Sequence, residues 1–367
     1  MKQLLLSIKF LLLFFFLCFQ TYAQRPFIGI WYPAKEHNSD KVSLIQVKIH
    51  LEGRYFYTWT HIQKPNINGK GSGTDSLHLF FPEEGGYRIT LKPKRKNPLH
   101  RIKSGKSLRK IEQWGDIKWS TMKEAFRGAI YMSMNSTDVP DLNNVTDMSY
   151  MFQGTYLFNT PIGHWDVSNV TDMSEMFSDA SAFNQPLEQW NVSKVTNMNA
   201  MFQSTRKFNQ PIEQWDVSNV TDMGFMFRNT SAFNQPLEKW DVSNVANMVE
   251  MFSKTWSFNQ PLGKWNVSNV TSMGGMFYGA RAFNQSLGNW NLKKINSLGS
   301  IFLYSNLDCK NYGLTLKGWA ENPETPHRKK LYIGLKYNEE TEVYRNILIN
   351  EKDWEISRDR KGKCNEE

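Results

Sequence analysis

Residues Trp165–Gln189 have the sequence WDVSNVTDMSEMFSDASAFNQPLEQ, and close copies of this stretch fill the centre of the chain. A tryptophan begins each copy at intervals of 25 residues, at Trp165, Trp190, Trp215, Trp240, Trp265 and Trp290. A fixed period of this size is typical of a solenoid, in which one short unit stacks on copies of itself. The repeat therefore predicts a row of coils that share one hydrophobic core.

The pattern inside one repeat predicts a short helix and a short strand. With the tryptophan counted as position 1, apolar residues recur at positions 3, 6, 9, 12, 13 and 19. Position 8 carries Asp, Asn or Ser, which are favoured helix N-caps, so we predict a helix over positions 9–15. Proline at position 22 in most copies cannot continue a helix, so we predict that positions 19–22 are extended and form a narrow parallel sheet.

Asparagine at position 20 is the most regular polar residue of the repeat. We expect its side-chain amide to bond to backbone groups of the next copy, which would form a ladder along the stack. The asparagines of this ladder are Asn184, Asn209, Asn234 and Asn259. Burial of about eight apolar side chains gives on the order of 12–24 kcal/mol per copy. Ordering 25 residues costs roughly 38 kcal/mol, so a copy needs its neighbours.

The segments VSNVTDMSEMF (residues 167–177) and FNQPLEQW (residues 183–190) resemble the repeat of BspA-like leucine-rich-repeat surface proteins of bacteria. The resemblance covers residues 140–302. It implies a leucine-rich-repeat-like solenoid at the cell surface. It also implies adhesion as a function, since some members of that family attach to host matrix proteins or to other bacteria.

The first 23 residues are typical of a secretory signal peptide. Lys2 and Lys9 supply positive charge, Phe10–Phe19 supplies an apolar core, and a small-residue cleavage site ends at Ala23. The apolar core is too short to span a membrane. We therefore expect an exported chain without a membrane span after cleavage. Cys18 raises the alternative of lipidation, although a bulky leucine precedes it instead of a small residue.

Two features separate the leader from the repeats. Residues 26–92 alternate apolar and polar residues between turn-rich stretches, which predicts a small all-β sandwich. The run Phe81–Ile89 resembles the last hairpin of PKD-like, immunoglobulin-type modules. Residues 92–110, here called the basic stretch, hold nine Lys or Arg and no acidic residue. This stretch is either a solvated linker or a contact for an acidic glycan or lipid, while an exported chain is not expected to bind nucleic acid.

The repeat pattern weakens at both ends. Trp114 begins a degenerate copy that we expect to cap the first coil. After Phe302 the period is lost, and a mixture of helix and strand patterns predicts an α/β cap for the last coil. Export permits a disulfide, and Cys309 and Cys364 are the two cysteines that remain after cleavage.

No pattern of catalytic residues appears in the chain. The seven histidines are scattered without metal-ligand spacing, and we expect no cofactor, no metal site and no enzymatic activity. The aspartates at positions 2 and 8 are often replaced by asparagine, which fits capping better than a calcium site. The tryptophan row, meaning the six position-1 tryptophans, has two interpretations. It can pack in the core or form a platform for sugar rings.

We call one position followed through all copies a column of the stack. Binding is expected where the copies differ, because packing demands the same residue type along a column and recognition does not. Positions 11 and 17 vary most, and Tyr, Trp and Arg are common at binding hot spots. The predicted partner-binding residues are Tyr156, Arg206, Phe225, Trp256, Tyr278 and Arg281.

The sequence thus predicts a mixed β/α, leucine-rich-repeat-like solenoid of 25-residue coils with a strand and a helix in each. Its parts are a signal peptide (1–23), a β-sandwich (24–92), a basic linker with a degenerate first coil (93–139), the repeats (140–305) and a C-terminal cap and tail (306–367). The predicted function is non-catalytic binding of an extracellular protein or glycan surface, with adhesion as the expected role. The alternative is a polysaccharide-binding module that uses the aromatic rows and the basic stretch.

Overall fold

A computed structural model describes residues 24–37 and 43–364, so the predicted signal peptide and Cys18 lie outside the described residues. The elements are, in chain order, β1 (Phe27–Trp31), β2 (Ala34–His37), β3 (Ser43–His61), β4 (Asn68–Phe80), β5 (Tyr87–Pro93), β6 (Arg101–Lys103), β7 (Leu108–Gln113), β8 (Ser133–Met134), α1 (Cys309–Glu321), β9 (Lys330–Tyr332), β10 (Lys336–Tyr337), α2 (Glu339–Asn350), β11 (Glu355–Ser357) and β12 (Arg360–Lys361).

The N-terminal part is one connected eight-stranded sheet with the order β2-β3-β5-β1-β7-β8, in which β4 and β6 also pair with β3. The pairs are antiparallel except for β7 and β8, which are parallel. The basic stretch supplies β6 and half of β7, so it is not a linker, and the sheet continues past residue 92. The reason is that Ile102 and Leu108 stand between its charges and are fully buried.

The predicted solenoid with a strand and a helix in each coil is wrong. Between β8 and α1 the described residues form turns and isolated bridges but neither a helix nor a longer strand. Both helices of the described residues lie in the C-terminal part. The single parallel bridges join position 8 of successive repeats, such as Asp172 to Asn197, and not positions 19–22. The named strands belong mainly to the N-terminal sheet.

Left-handed backbone conformations explain why no helix forms at positions 9–15. Positions 11 and 15 have positive φ, as at Glu175 (52°) and Asp179 (60°), which a right-handed helix excludes. Position 8 bonds as the cap pattern suggested, since Asp172 Oδ1 accepts from Ser174 N at 2.8 Å. The aspartate therefore begins a turn in the place of a helix.

The N–H groups at positions 9, 11, 13 and 15 bond to the next repeat. Met173 N donates to Asn197 O at 3.0 Å, and Glu175 N donates to Asn199 O at 2.8 Å. Phe177 N donates to Met201 O at 2.9 Å in the same way. The N–H groups between them close turns inside the repeat, as Met176 N does to Met173 O at 3.2 Å. This alternation ties successive repeats into one stack.

The stack has a continuous aromatic and methionine core. The position-13 phenylalanines stack on one another along it, with Phe177 and Phe202 ring centroids 5.6 Å apart and nearly parallel. Each also stacks on the position-19 ring of its own repeat, as Phe177 does on Phe183 at 4.3 Å. Met173, Phe177 and their counterparts in the other repeats are fully buried. The apolar columns therefore form a single core.

The position-20 asparagines form a side-chain ladder beside this core. Asn234 Oδ1 accepts from Asn259 N at 2.9 Å and from Gln260 Nε2 at 3.0 Å. Asn184 Oδ1 accepts in the same way from Asn209 N and Gln210 Nε2, both at 2.9 Å. Each asparagine thus satisfies one backbone donor of the next repeat.

The N-terminal sheet closes the first end of the stack. The degenerate copy keeps the register, since Phe126 N donates to Met151 O at 3.0 Å. Its Trp114 packs edge-on against Trp165, with ring centroids 5.5 Å apart. Phe27 of β1 packs against Trp114 at 5.9 Å, so the core of the sheet and the core of the stack are continuous.

Helix α1 closes the second end by taking the place of a further repeat. Trp319 of α1 stacks on Phe302 with ring centroids 6.2 Å apart. A disulfide joins Cys309 at the start of α1 to Cys364. Behind α1, Arg345 of α2 makes a buried two-point ion pair with Asp359 at 2.8 and 3.0 Å. These contacts cover the last repeat.

Replacing Asn234 by alanine is expected to lower the free energy of unfolding by about 1–3 kcal/mol, because Asn259 N–H loses its acceptor in a half-buried place. Asn234→Asp is the matched control, since a carboxylate oxygen accepts the same two bonds. We expect the urea midpoint, followed by tryptophan fluorescence, to fall clearly for alanine and much less for aspartate. Equal losses for the two variants would contradict the ladder as a source of stability.

Candidate functional site

The tryptophan row is part of the core and cannot serve as a platform for sugar rings. The six side chains are at most 5% exposed. The indole N–H groups of the five from Trp190 to Trp290 are also occupied, as Trp240 Nε1 donates to Ile212 O at 3.0 Å and Trp265 Nε1 donates to Leu237 O at 2.9 Å. An aromatic binding surface must therefore come from other columns.

Positions 11, 14, 15, 17 and 18 of the repeats form what we call the variable face, because they differ between copies and include columns 17 and 18, in which no residue from Tyr156 to Ala282 is buried. Some residues at positions 11 and 14 are buried, such as Ala200, Ser178 and Ser253. Position 18 N–H donates to the position-17 carbonyl of the preceding repeat, as Ala182 N does to Tyr156 O and Ala282 N does to Trp256 O, both at 3.1 Å. These bonds hold the columns in line. Successive side chains of column 17 are thus about 4.8 Å apart.

Four predicted site residues share column 17 and are exposed: Tyr156, Arg206, Trp256 and Arg281. The Tyr156 and Trp256 side chains are 46% and 47% exposed, in contrast to the buried tryptophan row. The Arg281 guanidinium lies over the Trp256 ring at 5.3 Å, an arrangement that attracts the cation to the ring. The structure therefore brings these four side chains together on one row.

Phe225 and Tyr278 lie at positions 11 and 14. They are half-buried, so they are less exposed than the four residues of column 17. The Arg228 guanidinium lies over the Phe225 ring at 5.6 Å and also pairs with Glu250 at 3.0 Å. Tyr278 meets the edge of the Tyr304 ring at 5.4 Å. Both predicted residues thus flank column 17 and do not belong to it.

Sequence reasoning missed two exposed apolar side chains at the start of the face. Tyr131 is 57% exposed and Leu157 is 59% exposed, and both occupy position 18. They are neighbours, because Leu157 N donates to Ile130 O at 3.2 Å. Variation at position 18 is the sequence signal that indicates Leu157. Tyr131 lies in the degenerate copy, whose pattern indicates only a cap.

Acidic groups on the variable face are partly neutralised. A hydrogen bond from Lys103, with a second from Arg127, lowers the pKa of Glu124 at the first end of the face. The Glu175 carboxylate raises the pKa of Tyr150, chiefly through its charge. The Arg127 guanidinium in turn lies over the Tyr150 ring at 5.3 Å. These contacts hold the first repeats of the face in a fixed arrangement.

A metal site and a small-molecule cavity are two other kinds of site that a fold can hold. In residues 24–37 and 43–364, no three His, Cys, Asp or Glu side chains are grouped so that they could hold a metal ion. A cavity of about 350 Å³ opens in the N-terminal sheet, and its lining is His50, Leu51, Glu52, Asp75, Ser76, Arg101 and Lys103. Arg101 pairs with Glu52, and Lys103 pairs with Glu124, so both cations already have an acidic partner, although the buried Arg101 Nε has no hydrogen-bond partner. No helix in the described part of the chain is long and apolar enough to cross a membrane.

Comparison with known proteins gives one family. The chain matches the family described as "Mycoplasma protein of unknown function, DUF285" over residues 120–232 and 209–313. No match was found among curated proteins or among solved structures. The matched range begins in the degenerate copy, ends in α1 and includes most of the variable face.

The contrast between two tryptophans tests the separation of core and face. Trp240→Ala is expected to lower the free energy of unfolding by about 3–5 kcal/mol, because it leaves a large cavity. Trp256→Ala is expected to lower it by less than about 1 kcal/mol, because that ring is half-exposed. Urea unfolding of the two variants measures the difference. Similar losses for both would show that Trp256 belongs to the core.

Proposed function

Since the chain belongs to the DUF285 family, whose function is unknown, we propose that it is an exported, non-catalytic interaction protein that presents the variable face to a macromolecule. The predicted signal peptide supports export. The resemblance to BspA-like surface proteins supports a place at the cell surface. Adhesion to a matrix protein or to another cell is the kind of binding that this resemblance suggests.

The observation that carries the proposal is the difference between columns of the same stack. Columns 1, 9, 13 and 19 are nearly invariant and buried, whereas column 17 holds Tyr156, Ser181, Arg206, Ser231, Trp256 and Arg281. Packing explains the first kind of column but does not require tyrosine, tryptophan and arginine in the second. These residue types are the ones that most often carry binding energy at protein surfaces.

The closed ends of the stack support the same conclusion. The N-terminal sheet covers the first repeat, and helix α1 covers the last. Neither end is therefore free for growth of the stack by addition of another chain. The long sides remain available, and the variable face is the side on which exposed aromatic rings lie.

The polysaccharide alternative loses its original support. The tryptophan row that it would use is buried, and the basic stretch that it would use is folded into β6 and β7. A glycan ligand would have to use the variable face instead. Catalysis is not proposed, because the histidines are scattered and no residue pattern of the chain points to a reaction.

Binding of residues 24–367 to panels of immobilised matrix proteins and glycans tests the proposal. We expect at least one ligand, and we expect Trp256→Ala or Arg206→Ala to weaken its binding at least about tenfold, as hot-spot residues do. Lys239→Ala is the control, because this exposed lysine lies outside the variable face and pairs with Glu213 at 3.1 Å. Binding that none of the face variants weakens would overturn the proposal.

A further inference from the structure

The repeats are divided by charge between the variable face and the remaining surface. The variable face of the repeats in residues 140–302 holds five basic residues and three acidic residues. All other positions in that range hold five basic residues and ten acidic residues. The basic five are Arg206, Lys207, Arg228, Lys254 and Arg281. A stack that is acidic overall therefore carries one basic side.

The basic stretch extends this side at the first end of the stack. The Lys106 side chain lies against Gly128, which occupies position 15, so that a Cβ on Gly128 would meet Lys106 Cγ at 3.4 Å. The Arg109 guanidinium lies over the ring of Tyr131, at position 18, at 4.8 Å. Two features that are separate in the sequence, the basic stretch and the varying columns, thus form one continuous surface.

Most cations of this surface are free to bind a ligand. Five exposed side chains make no ion pair with an acidic residue in the described ranges: Lys106, Arg206, Lys207, Lys254 and Arg281. By contrast, three of the five lysines outside the face in residues 140–302 are paired with an acidic residue, as Lys264 is with Glu238 at 3.3 Å and Lys293 is with Glu324 at 2.6 Å. Unpaired cations in a row attract an anion without first losing a partner.

Large and small side chains alternate along the middle of the row, from Tyr156 to Trp256. Tyr156 and Leu157, then Arg206 and Lys207, and then Trp256 form ridges two repeats apart. The pairs Ser181-Ala182 and Ser231-Ala232 leave grooves between those ridges. At about 4.8 Å per repeat the ridges are about 9.6 Å apart, and the row from Ile130 to Arg281 is roughly 29 Å long.

We propose that the variable face binds a linear acidic polysaccharide that lies along the stack. The unpaired cations would bind its carboxylate or sulfate groups. Its sugar rings would pack against Tyr156 and Trp256 and enter the grooves between the ridges. This inference rests on the proposed function, since it names the class of ligand for the same face.

The form of the surface favours this ligand over two other polyanions. Duplex DNA carries one charge per about 1.7 Å and is bound by dense cations, whereas here the cations alternate with rings and small residues over several repeats. A folded acidic protein is bound by a broad patch of about 20–30 residues, whereas this row is one or two residues wide in each repeat. A narrow chain with spaced charges fits the row better.

Binding of residues 24–367 to heparin and to polygalacturonate, measured by calorimetry or biolayer interferometry at about 0.1 M salt, tests the proposal. Neutral dextran, poly-L-glutamate and duplex DNA are the comparison ligands. We expect both acidic glycans to bind, dextran to fail, and the affinity to fall as salt screens the charges. The double variant Arg206→Glu/Lys207→Glu and the single variant Trp256→Ala are each expected to weaken glycan binding at least about tenfold.

The matched control is the double variant Lys239→Glu/Lys264→Glu, which makes the same change in net charge outside the face. It is expected to change glycan affinity less than twofold. Equal weakening by both double variants, or no binding of either acidic glycan, would overturn the proposal. So would binding of poly-L-glutamate or DNA as tight as that of the glycans and independent of Trp256. A protein ligand that depends on Trp256, found without glycan binding, would overturn the ligand class and leave the proposed function standing.

Discussion

The backbone bonds that run from each repeat to the next are the constraint on which the rest of the structure depends. Four N–H groups in each copy, such as those of Met173 and Glu175, donate to carbonyls of the following copy. These bonds fix the spacing of the copies and keep every column aligned with itself. Alignment lets the position-13 phenylalanines stack in one line, and it also places column 17 in one row on the surface. Core and candidate site therefore arise from the same set of bonds.

That constraint shows which parts of the fold the sequence could predict. The period, the buried columns and the bonding role of Asn234 are visible because they repeat identically and follow from burial and hydrogen-bonding needs. The local backbone was not visible. An aspartate can begin a turn or a helix in the same way, by accepting a hydrogen bond from an N–H two or three residues later, and Asp172 begins a turn. Only the positive φ values of Glu175 and Asp179 separate the two, and neither residue type reveals them. The predicted helix failed for this reason.

The candidate site was predictable to a similar degree. Variation along column 17 led to Tyr156, Arg206, Trp256 and Arg281, which the structure places on one exposed row. Variation did not show that the basic stretch meets this row, because its charges hide the buried Ile102 and Leu108 that fold it into the sheet. Nor did it show that Phe225 sits in a left-handed position beside Arg228. Contacts between distant segments are fixed by the fold and leave no local pattern.

Helix α1 ends the stack by repeating the bonds of a missing copy. Trp319 Nε1 donates to Leu287 O at 3.1 Å as the position-1 tryptophans from Trp190 to Trp290 do, and Asn311 Nδ2 donates to Asn284 Oδ1 at 3.0 Å as each position-21 glutamine does. The cap also depends on the last copy itself, because a Cβ on Gly288 would meet Leu314 O at 2.4 Å and because Lys293 pairs with Glu324, so the last copy and α1 form one unit. Recombination between two copies in the gene would add or delete 25 residues and leave both caps intact. Descendants of such an event would inherit a binding row of different length with no new folding problem to solve.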